Sequence, residues 1–134
     1  MTIITSQGSP ASSAVYFPDA VRSTAGIHFA RVMAQLGILD TLQPRFRTYP
    51  AGAIAMREMA AATGPDLIGC TQVTEINYTP GVELVAALPP EFELATVYSA
   101  AATTASDLAL AQRFIGLVSG AGSQVLRKAG GFEF

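Results

Sequence analysis

The chain has 134 residues, 50% of them hydrophobic and 13% charged, with a net charge of −2. That is enough for one domain burying roughly two thirds of its unfolded surface, and too apolar for a disordered tail protein. The eight Lys and Arg residues are scattered, which excludes a nucleic-acid footprint, and no apolar stretch reaches the roughly 20 residues of a membrane span. One cysteine, Cys70, and one histidine, His28, exclude an intrachain disulfide, a cysteine cluster and a His-rich metal site, so no metal or cofactor is expected.

Residues 1 to 13 read as a disordered, Ser-rich leader without the positive start and apolar core of a secretory signal. Structure is expected over residues 14 to 134 as one α/β domain. Ala14-Val15-Tyr16-Phe17 is a short apolar run closed by Pro18-Asp19, which fits a buried strand entering a turn. Ser23 or Thr24 then caps a helix over 25 to 36, where Phe29, Val32, Met33 and Leu36 recur at the spacing of one helical face. Gly37 ends it as a left-handed cap.

The turn Tyr49-Pro50-Ala51-Gly52 precedes a second helix over 53 to 62, with Ala55, Met59 and Ala62 as a stripe suited to packing on a sheet. Thr63-Gly64-Pro65 stops it. Strands are predicted at Asp66 to Thr71, Val82 to Leu88 and Leu94 to Thr104, each rich in apolar or β-branched residues, with Pro89-Pro90 as a rigid turn between the last two. From Ser106 the chain reads as two helices separated by Gly120. The alternation of strands and helices with short links predicts a mainly parallel sheet flanked by helices, with ligands gathering where strand ends meet helix N-termini.

Two such N-termini stand out. Ser23-Thr24-Ala25-Gly26 and Pro50-Ala51-Gly52-Ala53 each offer small residues and backbone N–H groups beside a positive dipole end, the material of an anion site. Taken alone, either turn reads first as ordinary helix capping, and neither is specific by itself. Gln72, just past an apolar strand, is either a surface residue or a ligand contact. Glu75 would repel an anion unless its carboxylate points away. Cys70, alone in an apolar strand, reads as a small buried hydrophobe, and His28, near a helix start, as a neutral and partly exposed side chain. No catalytic motif announces an enzyme.

The order of short motifs resembles a known family. The A-G-I-x-x-A helix start at Ala25, then Leu36-Gly37-Ile38, Asp40-Thr41-Leu42-Gln43-Pro44, Gly52-Ala53-Ile54-Ala55, Asp66-Leu67-Ile68-Gly69, Gly81 to Pro89, Tyr98-Ser99-Ala100-Ala101, and the terminal Phe114-Ile115 and Gly130-Gly131-Phe132 are similar to the second lobe and C-terminal helices of molybdate-type periplasmic solute-binding proteins of the type II fold. The likeness spans residues 14 to 132. It implies a small anionic ligand, a molybdate-like oxyanion or a small organic carboxylate, held by neutral donors at Ser23, Thr24 and Ala25, at Gly52 or its neighbour Ala53, and at Gln72. Gln72 stands where molybdate-binding relatives show Tyr, which keeps the ligand open between the two classes.

The resemblance also implies an ABC-transporter component with a permease partner and a periplasmic setting. With no signal in the chain as written, the sequence by itself reads as cytoplasmic. It covers only the family's second lobe, so a truncated protein is expected, with apolar faces around Phe114, Leu117 and Leu126 uncovered and a homodimer, segment-swapped at its C-terminus, covering them. Two alternatives stand beside this reading. One is an isomerase acting on small carboxylates with Glu75 or His28 as its base, and the other is a non-functional lobe that folds by dimerising.

Overall fold

The computed structural model describes residues 2–3, 13–105 and 107–132. The expected leader therefore lies outside the described residues except at Thr2, Ile3 and Ser13. The chain divides into two compact units, residues 1–94 and 95–134.

In the first unit the short strand β1 (Thr2–Ile3) is followed by β2 (Ala14–Pro18) and the helix α1 (Thr24–Gln35). After them come a one-turn helix α2 (Leu39–Leu42), β3 (Phe46–Tyr49), the helix α3 (Gly52–Ala61), β4 (Leu67–Thr71), the short helix α4 (Val73–Tyr78) and β5 (Ala86–Ala87). The sheet order is β3-β2-β4-β1-β5. β2 runs parallel to both β3 and β4, with Val15 opposite Phe46 and Ile68, while β1 is antiparallel to β4 and β5. A parallel three-strand centre flanked by helices is the architecture that the alternation of elements predicts.

β2 is buried along its whole length, as a strand covered on both faces must be. Successive side chains point to opposite faces, so Ala14 and Tyr16 join Ala55, Met56, Met59 and Ile76 on the α3 side, while Val15 and Phe17 join Phe29, Met33 and Cys70 on the α1 side. Phe17 meets Phe29 and Phe46 edge-on at ring-centroid distances of 5.3 and 4.8 Å. On the other face the two methionines of α3 lie over Gly69, where an added Cβ would come 2.7 Å from the Met56 methyl and 2.9 Å from the Met59 sulfur. The stripe on α3 packs closely because the strand beneath it has no side chain there.

The predicted helices over 25–36 and 53–62 form within a residue of their expected bounds. Gly37, at φ +68°, supplies the left-handed residue that ends α1: its N–H donates to Ala34 O and that of Ile38 to Met33 O, each at 3.0 Å, the paired bonds of a Schellman stop. Leu36, by contrast, is 48% exposed, since it sits at the cap, beyond the last turn that lies on the sheet.

Two predicted strands are corrected. Of Val82 to Leu88 only Ala86–Ala87 pairs among the described residues, with Thr2 and Ile3 of β1. Residues 93–103, which cover nearly all of the strand expected from Leu94 to Thr104, carry no regular structure. Val97 and Tyr98 there are 88% and 63% exposed, and β-branched composition makes a strand only where a neighbouring strand takes up its N–H and C=O groups. Conversely, β3 forms where no strand was expected. Its four residues are partly exposed and carry Arg47, so it lacks the apolar run that marks β2.

In the second unit the helices α5 (Leu108–Ser119) and α6 (Gln124–Ala129) are joined by a 3-10 turn at Ala121–Ser123. Asp107 Oδ1 caps α5 by accepting from Leu110 N at 3.1 Å. Arg127 donates to the carbonyls of Val118 and Gly120 at 2.6 and 2.9 Å, and to the Ser123 hydroxyl. A cation thus satisfies carbonyls at the C-terminal end of α5, where the helix dipole favours it. Phe114, Leu117 and Leu126 are 65%, 70% and 75% exposed. No helix among the described residues is long and apolar enough to cross a membrane.

Candidate functional site

The three parallel strands end together at Pro18, Tyr49 and Thr71. The central strand β2 feeds a helix on one face, while the chain returns through β3 and the opposite face to β4, so the connections diverge at β2. In sheets of this kind the crevice at the strands' carboxyl ends is where ligands are taken up. Here it is an open cleft of about 230 Å³ lined by Ser23, Thr24 and Ala25 from the start of α1, Pro50, Ala51 and Gly52 from the start of α3, and Gln72 and Glu75 after β4.

Five residues expected from the sequence, Ser23, Thr24, Ala25, Gly52 and Gln72, therefore line one cleft. Ala53, the sixth, stands behind the lining: its N–H donates to Glu75 Oε1 at 3.2 Å. No Lys or Arg is among the described residues that line the cleft, and these offer neutral donors and a single carboxylate. Among the described residues no cluster of three His, Cys, Asp or Glu side chains could hold a metal ion.

The start of α1 is shaped by the turn that precedes it. Asp19 Oδ1 accepts from the N–H groups of Val21 and Arg22 at 2.8 and 2.9 Å, and the Ser23 N–H donates to Asp19 O at 3.1 Å. The two amide bonds, aided by the Arg22 charge, hold the Asp19 carboxyl below its ordinary value of 3.8. Gly26 seats the helix against the end of β2, since an added Cβ would collide with the carbonyl oxygens of Pro18 and Asp19. The first bond within α1 is Ile27 N to Ser23 O at 2.8 Å, and the Ser23 side chain makes no capping bond. The N–H groups of Thr24 and Ala25 consequently have no hydrogen-bond partner among the described residues, as the first amides of a helix do until something external accepts from them.

The start of α3 is closed instead. Glu75 reaches it from α4. One carboxylate oxygen accepts from Ala53 N–H and the other from the hydroxyl of Thr71, which is fully buried. An added Cβ on Gly52 would collide with that hydroxyl and that carboxylate, so glycine there makes the room the carboxylate fills. From the sequence Glu75 can point either at an anion or away from it; its carboxylate turns to the start of α3. A spacing of four between Thr71 and Glu75, spanning a strand end and the first turn of a helix, is the signal that would have joined the two.

Gln72 is half-buried and forms the N-cap position of α4. His28 does not line the cleft: its Nε2–H donates to the Phe92 carbonyl at 2.7 Å. Cys70 is fully buried beneath α1.

A family model of bacterial extracellular solute-binding proteins matches residues 8–132. No curated protein matches the chain, and no solved structure does. The match is to extracellular solute binding in general and does not single out the molybdate type. With a cleft at the carboxyl ends of a parallel sheet and a family match along nearly its whole length, the chain belongs to the bacterial extracellular solute-binding protein family.

Proposed function

We propose that the chain binds a small anion, a molybdate-like oxyanion or a small organic carboxylate, as the ligand-holding lobe of an ABC transporter's solute-binding component, with the periplasm as its working compartment. The observation that carries this reading is the open start of α1, where two amides without partners among the described residues lie in a cleft lined by hydroxyls and Gln72. An anionic oxygen there would accept from Thr24 and Ala25 N–H, with the Ser23 and Thr24 hydroxyls and the Gln72 amide as further donors. Neutral donors at a helix start bind an anion without the desolvation cost of a buried cation, which suits a protein that must also release its cargo to a permease.

The exposed apolar residues of α5 and α6 support a second copy as partner of the second unit, since contiguous exposed apolar surface commonly marks an interaction site. A dimer by sedimentation at micromolar concentration would bear this out, and a monomer would remove it.

The binding reading is tested by thermal melting against molybdate, tungstate, sulfate, phosphate and small mono-, di- and tricarboxylates. A solute at about 100 times its dissociation constant stabilises the native state by roughly 2.7 kcal/mol. At least one member of the panel should do so, and Gln72→Ala should weaken the effect. A folded chain that responds to none of them would contradict the reading.

A further inference from the structure

The two helix starts in the cleft hold different charges, and this bears on which solute fits. At α3 a carboxylate is already fixed on three sides: Ala53 N–H donates to one oxygen, the buried Thr71 hydroxyl to the other, and the missing Cβ of Gly52 leaves the space they occupy. Glu75 is also the only ionisable side chain among the described residues lining the cleft. A carboxylate that already accepts two hydrogen bonds retains lone pairs for a third and fourth, and it has nothing to donate. Any group of a solute brought against it must therefore be a donor.

We infer that Glu75 is the specificity-determining residue of this cleft, selecting small monoanionic acids that carry a hydrogen-bond donor over dianionic tetrahedral oxyanions. This rests on the binding cleft proposed above. With its anionic group at the start of α1, a hydroxy acid can turn its hydroxyl to Glu75 and make a charge-assisted bond. A fully deprotonated tetrahedral dianion such as molybdate or sulfate in the same place presents acceptor oxygens on every side, one of them against the carboxylate, where like charges repel. A cleft of about 230 Å³ lies below the usual range for drug-sized ligands and matches acids of a few heavy atoms.

The test is calorimetric titration of the full chain with glycolate, lactate, acetate, molybdate and sulfate, for the wild type and for Glu75→Gln, which keeps an acceptor oxygen but removes the charge. The wild type should bind glycolate or lactate about tenfold or more tighter than molybdate and sulfate, and tighter than acetate, which lacks the donor. Glu75→Gln should narrow or reverse the gap between hydroxy acid and dianion. A wild type that binds molybdate or sulfate as tightly as the hydroxy acids overturns the inference and leaves the binding cleft standing, and that ranking decides the matter even if the variant does not fold. An unchanged gap between hydroxy acid and dianion in a folded Glu75→Gln overturns it equally. If no acid and no oxyanion binds the wild type, the binding reading falls and the inference falls with it.

Discussion

The starts of α1 and α3 are built from the same materials, small residues after a strand end with a carboxylate close by, yet they end in opposite states. At α3 the carboxylate of Glu75 turns inward and accepts from Ala53 N–H. At α1 the carboxylate of Asp19 turns back into its own loop, onto Val21 and Arg22, and leaves Thr24 and Ala25 open to the cleft. A helix dipole invites an anion at both ends of the comparison. The protein supplies a carboxylate to one of them from its own chain and leaves the amides of the other open, and the proposed binding reading places the solute at the open one.

The largest effect should separate the two sides sterically. At Gly26 an added Cβ meets backbone carbonyls of Pro18 and Asp19, which cannot step aside, whereas at Gly52 it meets the side chains of Thr71 and Glu75, which can. Gly26→Ala is expected to cost about 3 kcal/mol and Gly52→Ala about 1–2 kcal/mol, within the range for overpacking. Urea unfolding of both variants measures the difference, and equal losses would mean that the α3 wall is as rigid as the α1 wall.

Removing the internal anion comes next. Glu75→Ala leaves the buried Thr71 hydroxyl and the Ala53 amide without their acceptor, for an expected loss of about 1–3 kcal/mol. In Gly52→Ala/Glu75→Ala the two losses should fall short of additive, because the second change removes part of what the new methyl collides with. Ser23→Ala should do far less. An N-cap serine is ordinarily worth about 1 kcal/mol, but this one makes no capping bond, so unfolding should change by less than about 0.5 kcal/mol while anion binding weakens.

The smallest effect lies behind α1 and depends on pH. The Asp19 carboxyl titrates below its ordinary value of 3.8 because the amides of Val21 and Arg22 donate to its ionised form. A group whose value is depressed on folding stabilises the native state above its unfolded value and loses that contribution as pH falls through the lower, folded one. Asp19→Asn should therefore melt slightly below the wild type at neutral pH, with the gap closing in acid below about pH 3.8. A gap that persists there would place the effect elsewhere in the turn.

Much of this cleft was legible in the sequence because its walls are local. Phe29, Val32 and Met33 at helical spacing and Gly37 after them define α1, and the apolar run Ala14 to Phe17 defines the central strand, so the residues between them had to form a strand-to-helix turn. The same held for Gly52 and Gln72. What escaped depends on contacts distant in sequence or on a missing partner. Glu75 finds the start of α3 across 22 positions, and β3 is a strand only because β2 lies beside it, with Tyr16 opposite Arg47. Residues 94 to 104 have strand composition, but over 93–103 they carry no regular structure. Ala53 shows the limit from the other side: it lies at the helix start as the sequence suggested, yet its amide is already engaged.

The most direct measurement is the backbone amide spectrum of the chain during titration with glycolate, followed at Thr24, Ala25 and Ala53. The Thr24 and Ala25 amides should shift in a saturable way with a common dissociation constant, while Ala53, already bonded to Glu75, should move little. Saturable shifts at Ala53 with none at Thr24 and Ala25 would contradict it, because the solute would then have displaced Glu75 and the open start of α1 would not be where an anion is held.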